Sequence, residues 1–484
     1  MIRKISKKTK SLSFAFWLTL FGAFSSGCSS SKQTALDKSA SESKSAASAN
    51  SLSPTAVPAS DPVVGSNVVI ESKAGKDHST ASTHSNKTGS PLRHLRAPRL
   101  TNIELPAFKG AHAIWGATGR DSKGQIYFGV AAYGVDDPSA HLLRLTPSTG
   151  MVADLGGVNS KLDELGVRRQ EPYPETQMKI HSKLHVAGDG KLYFSSQDEH
   201  DEAGDGSRNA LFGGRLLALD PKTEKWSSIL RTPEGLIALA CHQRYVFTLG
   251  YFGHVIYQFD TQTGNTRSVK VGTVGGHVSR NIFADSREHV YAIRLENTKE
   301  SEGPGVTLVG DVPVRSSLVE LNAELQEVKS WPLDDYLPTL DVNSHGLTAY
   351  CRVGSDTIVF LTHSGALWQL KIGEPEKAAE LTRLGWFHPG GSRYAASLFC
   401  PSGKRYVCGF SQSSNGEIEW VVFDIDNKES TILPISLSGQ ELLQQPGLLL
   451  YGCDTLDDEG SGYVVGWKRV KNGYGPHVLR LEWR

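Results

Sequence analysis

Methionine is scarce: the 484-residue chain holds 3 Met against 49 Gly, 15 Tyr and 17 Phe, a balance that favours strands and turns over helix bundles. Cysteine is scarce as well, with 6 residues and no Cys-x-x-Cys pair, which speaks against a zinc site of that kind. With Cys28 set aside, Cys241, Cys351, Cys400, Cys408 and Cys453 form an odd set, so at least one thiol stays free and buried apolar cysteines are the default reading. There is no Gly-Lys-Ser/Thr phosphate loop and no Gly-x-Ser-x-Gly nucleophile elbow. Net charge is missing too: 51 Lys+Arg meet 51 Asp+Glu, which argues against a generally basic nucleic-acid binder and against a strongly acidic protein. Hydrophobic content is 39%, low for a chain folded end to end.

What is present is unevenly spread. Arg3, Lys4, Lys7, Lys8 and Lys10 precede an apolar run from Leu12 to Phe24, which is short for a bilayer span and has the length of a signal-peptide core. The run ends in Ser25-Ser26-Gly27-Cys28, which resembles the bacterial lipobox, although Ser25 stands where Leu is usual. The resemblance implies a signal over 1–28 with Cys28 lipidated, and Ser29 after it implies the outer membrane. The alternative is a plain secretory signal with a chance Cys. Residues 29–98 are rich in Ser, Ala, Thr and Lys, cannot bury enough apolar surface to offset chain entropy, and read as a disordered tether. About 70 such residues reach on the order of 45 Å. Residues 1–99 hold 14 basic and 5 acidic residues, leaving 37 against 46 beyond them, so a +9 leader precedes a −9 folded part.

From about residue 112 the chain repeats itself. An apolar stretch leads to a turn with Asp or Gly, then to runs rich in Tyr, Val and Phe. Lys179 to His185, the turn Gly188-Asp189-Gly190, Lys191 to Phe194 and Arg215 to Pro221 make the clearest copy. The third run of each copy carries a landmark: Leu145, Leu219, Phe259, Leu321, Leu370, Phe423 and Leu481, spaced 74, 40, 62, 49, 53 and 58 residues apart. Such spacing of short strands predicts an all-β, seven-bladed β-propeller of four-stranded blades over 99–484. The last copy stops after its third strand, and the extended segment Leu100 to Phe108 is expected to supply the missing outer strand and close the ring. Two separate β domains are the alternative.

In a propeller the innermost strand of each blade starts at one face, and the connection between second and third strands returns there. First-strand starts give His112, His181, His277, His345 and His388, with Arg280, Asn281, Arg393 and Tyr394 nearby; second-to-third connections give His200 and the group Tyr251-Phe252-Gly253-His254. Of 16 His, three lie in the tether, and seven of the other 13 fall at these positions. Each alone suits a histidine satisfying local backbone; the set suits a polar site. Histidine exchanges protons near neutral pH, tyrosine relays one when cationic neighbours lower its pKa, and arginine neutralises a carboxylate. Together they suit removal of a proton next to a carboxylate, with the developing enolate stabilised.

The seven-bladed layout, the segment Lys179 to Asp198, and Gly276-His277-Val278-Ser279-Arg280-Asn281 resemble propeller polysaccharide lyases, especially ulvan lyases. The resemblance covers blades two to four. It implies His181 and His200 as a catalytic histidine pair, Tyr251 as the proton-transfer tyrosine and Arg280, with Arg267 second, as the carboxylate-neutralising arginine. His112, His254, His277, Asn281, His345, His388, Arg393 and Tyr394 would then bind substrate. A divalent metal on His277, His345 and His388 is a second use of these residues, since oligogalacturonate lyases are similar propellers holding a metal with histidines; no local ligand pair marks such a site. The acidic run Asp198-Glu199-His200-Asp201-Glu202 with Asp205 reads as a solvated loop more readily than a calcium site. The turns Thr149-Gly150 and Thr263-Gly264 resemble quinoprotein blades, but the regular docking Trp is missing. The expectation is an exported, lipid-anchored, monomeric lyase acting on uronate-containing, ulvan-like acidic polysaccharide and not on nucleic acid, touching the membrane only through its anchor. The rival is a non-catalytic propeller that binds a glycan or protein at the cell surface.

Overall fold

Each repeat folds as one antiparallel sheet, and seven such sheets form a seven-bladed β-propeller. The protein is described by a computed structural model over residues 96–203, 207–272, 279–309, 311–336, 346–374, 377–413, 416–452, 455–471 and 473–483. The expected signal, Cys28 and nearly all of the tether lie outside these residues. No helix among the described residues is long and apolar enough to cross a membrane.

Blade 3 is the plainest, running from inner to outer edge as Leu236–His242, Tyr245–Gly250, Val255–Asp260 and Thr266–Lys270. All seven landmark residues fall in third strands. The wide interval between Leu145 and Leu219 holds the short helix Val158–Glu164. Blade 4 adds an unforeseen strand, Val306–Val309, which pairs with the long third strand Val312–Leu321. Middle strands are buried on both faces because each blade packs between two others, so Ile126–Ala132 and Leu192–Gln197 are buried at every position. Apolar burial between blades, at roughly 25 cal/mol per Å², drives this stacking.

The chain's ends close the ring. Blade 7 consists of Leu449–Leu450, Gly462–Val470 and Gly473–Glu482, and its outer strand is Arg99–Asn102 from the other terminus. Leu100 lies opposite Leu481, and Ile103 N–H donates to the Val478 carbonyl at 3.0 Å.

The recurring Asp turns have a physical cause. Asp121 Oδ1 accepts the N–H groups of Lys123 and Gln125 at 2.8 and 2.9 Å, and its Oδ2 accepts the Tyr127 hydroxyl at 3.0 Å. Asp285 repeats this with Arg287, His289 and Tyr291, and Asp457 with Glu459, Ser461 and Tyr463. One carboxylate thus caps the turn between first and second strands and pins the tyrosine of the second.

Candidate functional site in the central channel

The innermost strands line the channel, and strand register fixes which end each residue faces. In blade 2, Lys179 lies opposite Gln197 and His185 opposite Tyr193. Lys179 therefore sits at the near mouth, where second-to-third connections gather, and His185 toward the far mouth. From Lys179 to His185 the chain descends four residues of the second strand, Gln197 to Tyr193, about 13 Å at roughly 3.3 Å per residue, with a bend at Ser182 between. The intervening Ile180, Ser182 and Leu184 are buried, and Ser182 Oγ accepts the Ser195 N–H at 2.9 Å. This basic ladder of Lys179, His181, Lys183 and His185 was visible in the sequence, but the first-strand rule picked out His181 alone.

The near mouth gathers aromatic rings around the ladder. Lys179 Nζ lies 2.5 Å from Glu199 Oε1 and 4.6 Å above the Trp115 ring. Trp115 in turn meets Trp467, Tyr451 and His181 at centroid separations of 4.5, 5.2 and 6.0 Å. His181 is 6.0 Å from Tyr251, and the Arg280 guanidinium lies 4.2 Å over Tyr451. His181, Arg280, Lys183, Tyr394 and Tyr451 line a space of about 20 Å³, room for one water. Tyr251 is placed by Glu234, whose Oε2 accepts the N–H groups of Phe252 and Gly253, the former at 3.1 Å. A Cβ on Gly250 would come within 2.1 Å of Glu234 Oε1, so only glycine leaves room for this carboxylate.

Electrostatics correct one expectation. Cationic neighbours do not lower Tyr251: burial pushes its phenol above the ordinary value, Glu199 adds to this, and Arg280 only opposes it. Tyr251 therefore stays protonated and can donate a proton.

The acidic run is not a solvated loop throughout. Asp198 is fully buried, and its Oδ1 accepts from the Thr176 hydroxyl at 2.8 Å and the His200 N–H at 2.9 Å. Glu199 turns inward to Lys179 and accepts the Tyr133 hydroxyl at 2.6 Å. Burial pushes the Asp198 carboxyl up to about 6, and burial followed by the Glu199 charge pushes Glu202 up to about 8. Lys179, Glu199, Glu202, Trp115 and Tyr451 were missed as site residues. Lys179 and Trp115 stood within three positions of histidines already singled out, whereas the loop acids carried no signal of direction.

The other expected residues are scattered in role. His200 faces outward, with Asp201 at 3.5 Å and Tyr173 at 4.6 Å, and none of its contacts described here reaches His181, Tyr251 or Arg280. His112 packs edge-on against Tyr133 at 4.9 Å; burial, then Lys179, lowers its pKa. His254 is buried with a left-handed φ of 54°, and its carbonyl accepts the Val271 N–H. Asn281 donates to the Leu347 carbonyl at 2.7 Å, tying blade 4 to blade 5. Tyr394 lies 4.9 Å from His363 and reaches Arg280. Arg393 pairs with Glu419 at 2.7 Å, and Arg267 is exposed on the outer strand of blade 3. His277 and His345 lie outside the described residues.

The three-histidine metal does not fit the one member that is described. His388 Nε2 is 3.0 Å from Glu419, and its Nδ1 accepts the Gly390 N–H at 2.8 Å, so both nitrogens are engaged. Asp285, His289 and Glu320 do bring ligand atoms within 4.8 Å of one another. The Arg287 guanidinium already bridges both carboxylates at 2.6 Å, so a fixed cation occupies the place.

No family model matches the chain, and no curated protein is similar to it. Solved structures with a similar course exist at low identity. One is an extracellular domain assigned to a hybrid two component system of B. thetaiotaomicron, at 12% identity and TM-score 0.46, covering 79% of this chain; the chain spans 39% of that one. A protein of unknown function from Dyadobacter fermentans has 12% identity and TM-score 0.42, covering 81% of this chain and 99% of its own. An oligogalacturonate lyase in complex with manganese has 10% identity and TM-score 0.42, with coverage of 81% and 99%. These likenesses concern the fold.

Proposed function

We propose that the near mouth binds a uronate-containing polysaccharide and cleaves it by β-elimination, on a chain exported and anchored through Cys28. The observation that carries this reading is that His181 and Arg280 line one aromatic-walled space, with the Tyr251 ring 6.0 Å from His181 and within the electrostatic reach of Arg280. Arg280 pairs with the sugar carboxylate and stabilises the charge that develops there. His181 removes the proton beside the carboxylate. The bond to the leaving oxygen breaks as the double bond forms, and protonated Tyr251 donates to that oxygen. His200 has no part in this arrangement, so a single histidine serves. The arginine–tyrosine stack must part to admit a sugar, because the space it closes holds about 20 Å³.

That closure also favours a second reading, a non-catalytic propeller whose Trp115, Tyr451 and Trp467 rings stack on sugars. The full chain is incubated with a panel of acidic polysaccharides while ultraviolet absorbance of the unsaturated product is followed. The lyase reading expects absorbance from a uronate polymer that His181→Ala abolishes without unfolding the protein. Binding without product on any polymer selects the second reading. Anchoring is checked separately: Cys28→Ser should release the protein from the membrane fraction.

A further inference from the structure

The far mouth holds a larger space than the near one, a cavity of about 370 Å³, within the range of roughly 300–1,000 Å³ typical of small-molecule sites. Register places it there: His242 lies opposite Tyr245 and Arg352 opposite Ile358, at the ends of first strands. Its wall includes His185, His242, Tyr350, Arg352 and the thiols of Cys241 and Cys351.

Among the described residues no Asp or Glu lines this wall. Arg352 stands at the rim, with one Nη donating to the Ala284 carbonyl and no acidic side chain among the described residues paired to it. Lys183 Nζ lies 4.7 Å over the Tyr350 ring, and the Tyr350 hydroxyl is 3.3 Å from His185 Nε2. His242 Nδ1 is buried with no hydrogen-bond partner among the described residues. The acids nearest in the adjoining turns are Glu288 and Asp285, whose charges act on His242, and Asp189; each is engaged, Glu288 by the Arg244 N–H at 3.0 Å, Asp285 by Arg287 and Tyr291, and Asp189 by Tyr193. Burial pushes the Cys241 thiol up to about 12, so it adds no negative charge. The thiols and imidazoles do not converge on one ion either: the trio of ligand atoms within 4.8 Å among the described residues lies elsewhere, in blade 4. Small apolar side chains, Ala240 and Ala284, leave room for a carbon skeleton.

We propose that this cavity is a second ligand site, taking a small organic oxyanion, a carboxylate or phosphate ester no larger than a sugar, with Arg352 as its anchor. A cationic pocket in a folded part that carries −9 concentrates its field where water is partly excluded.

The test uses the full chain carrying Arg280→Ala, so that anion binding at the near mouth is removed and the outcome is separate from that of the lyase reading. It is titrated by calorimetry with inorganic phosphate, with glucuronate, and with glucose as the uncharged control, at low ionic strength. Saturable binding of at least one anion and none of glucose is expected, and adding Arg352→Ala should weaken it at least tenfold. Equal binding of glucose, no binding of either anion, or indifference to Arg352→Ala overturns the proposal. Should Arg280→Ala fail to fold, the wild-type chain serves: Arg352→Ala alone should remove one saturable phosphate site from the titration, and an unchanged isotherm overturns the proposal.

Discussion

The two mouths of one channel share a wall and differ in charge. Two short successive strands of the same inner edge, Lys179–Ile180 and His185–Val186, supply Lys179 to the near mouth and His185 to the far one. At the near mouth a long connection, running from Asp198 to Gly213, returns carboxylates to the wall, and Glu199 meets Lys179 there. At the far mouth the connections are tight turns whose aspartates are spent on their own backbone and on a tyrosine. Loop length therefore decides whether acids come back to meet the cations. The near mouth is a mixed acid–base site suited to moving protons, and the far mouth a cationic one suited to holding an anion.

The strongest way to break this contrast is to remove the chemistry from one mouth alone. His181→Ala should lower product formation by at least about a hundredfold, the scale of a lost general base. Arg352→Ala should leave that rate within about twofold. Equal losses in a steady-state assay would dissolve the distinction between the ends.

Next in size, Glu199→Gln strands the buried Lys179 ammonium, and the cost of breaking such a pair is about 3–5 kcal/mol in chemical unfolding. The same change makes the near mouth resemble the far one, so phosphate affinity there should rise as stability falls.

A pH series sharpens the comparison further. Glu202 is raised from 4.5 to about 8, so the folded state binds more protons than the unfolded one between those values, and its contribution to stability falls as pH rises through that window. Glu202→Gln should remove that slope from melting curves taken across the window. An unchanged slope would show that the carboxyl is not held in the wall.

The smallest effect belongs to the far turns. Tyr127→Phe deletes one hydroxyl from Asp121 and should cost about 1 kcal/mol, read from the denaturation midpoint.

Blade number and closure were legible because they rest on local pattern. Each third strand repeats an apolar run before its turn, and the last copy plainly lacked a partner that Leu100 could supply. The two histidines expected as a pair parted because direction in a loop depends on distant atoms. Asp198 and Glu199 are drawn in by Thr176, Tyr133 and Lys179, which leaves His200 against Tyr173 outside. His388 and His254 occupy the turns expected of them, yet one bonds to Glu419 and Gly390 and the other is buried in a left-handed turn, matters of partner and burial that spacing does not encode. The far cavity escaped notice for a different reason: histidines were sought where first strands begin, while His242 and Arg352 stand where they end.

Blade 7 has a mechanical meaning. Its third and outer strands are joined by four register pairs, from Arg99 with Glu482 to Asn102 with Leu479. The corresponding seams of the other blades have five or six. Any pull arriving through the chain upstream of Arg99 meets the ring at this shortest seam and at its first rung. Once the seam parts, Gly473–Glu482 becomes an open edge, and the barrier to peeling the propeller apart is set there rather than in its core.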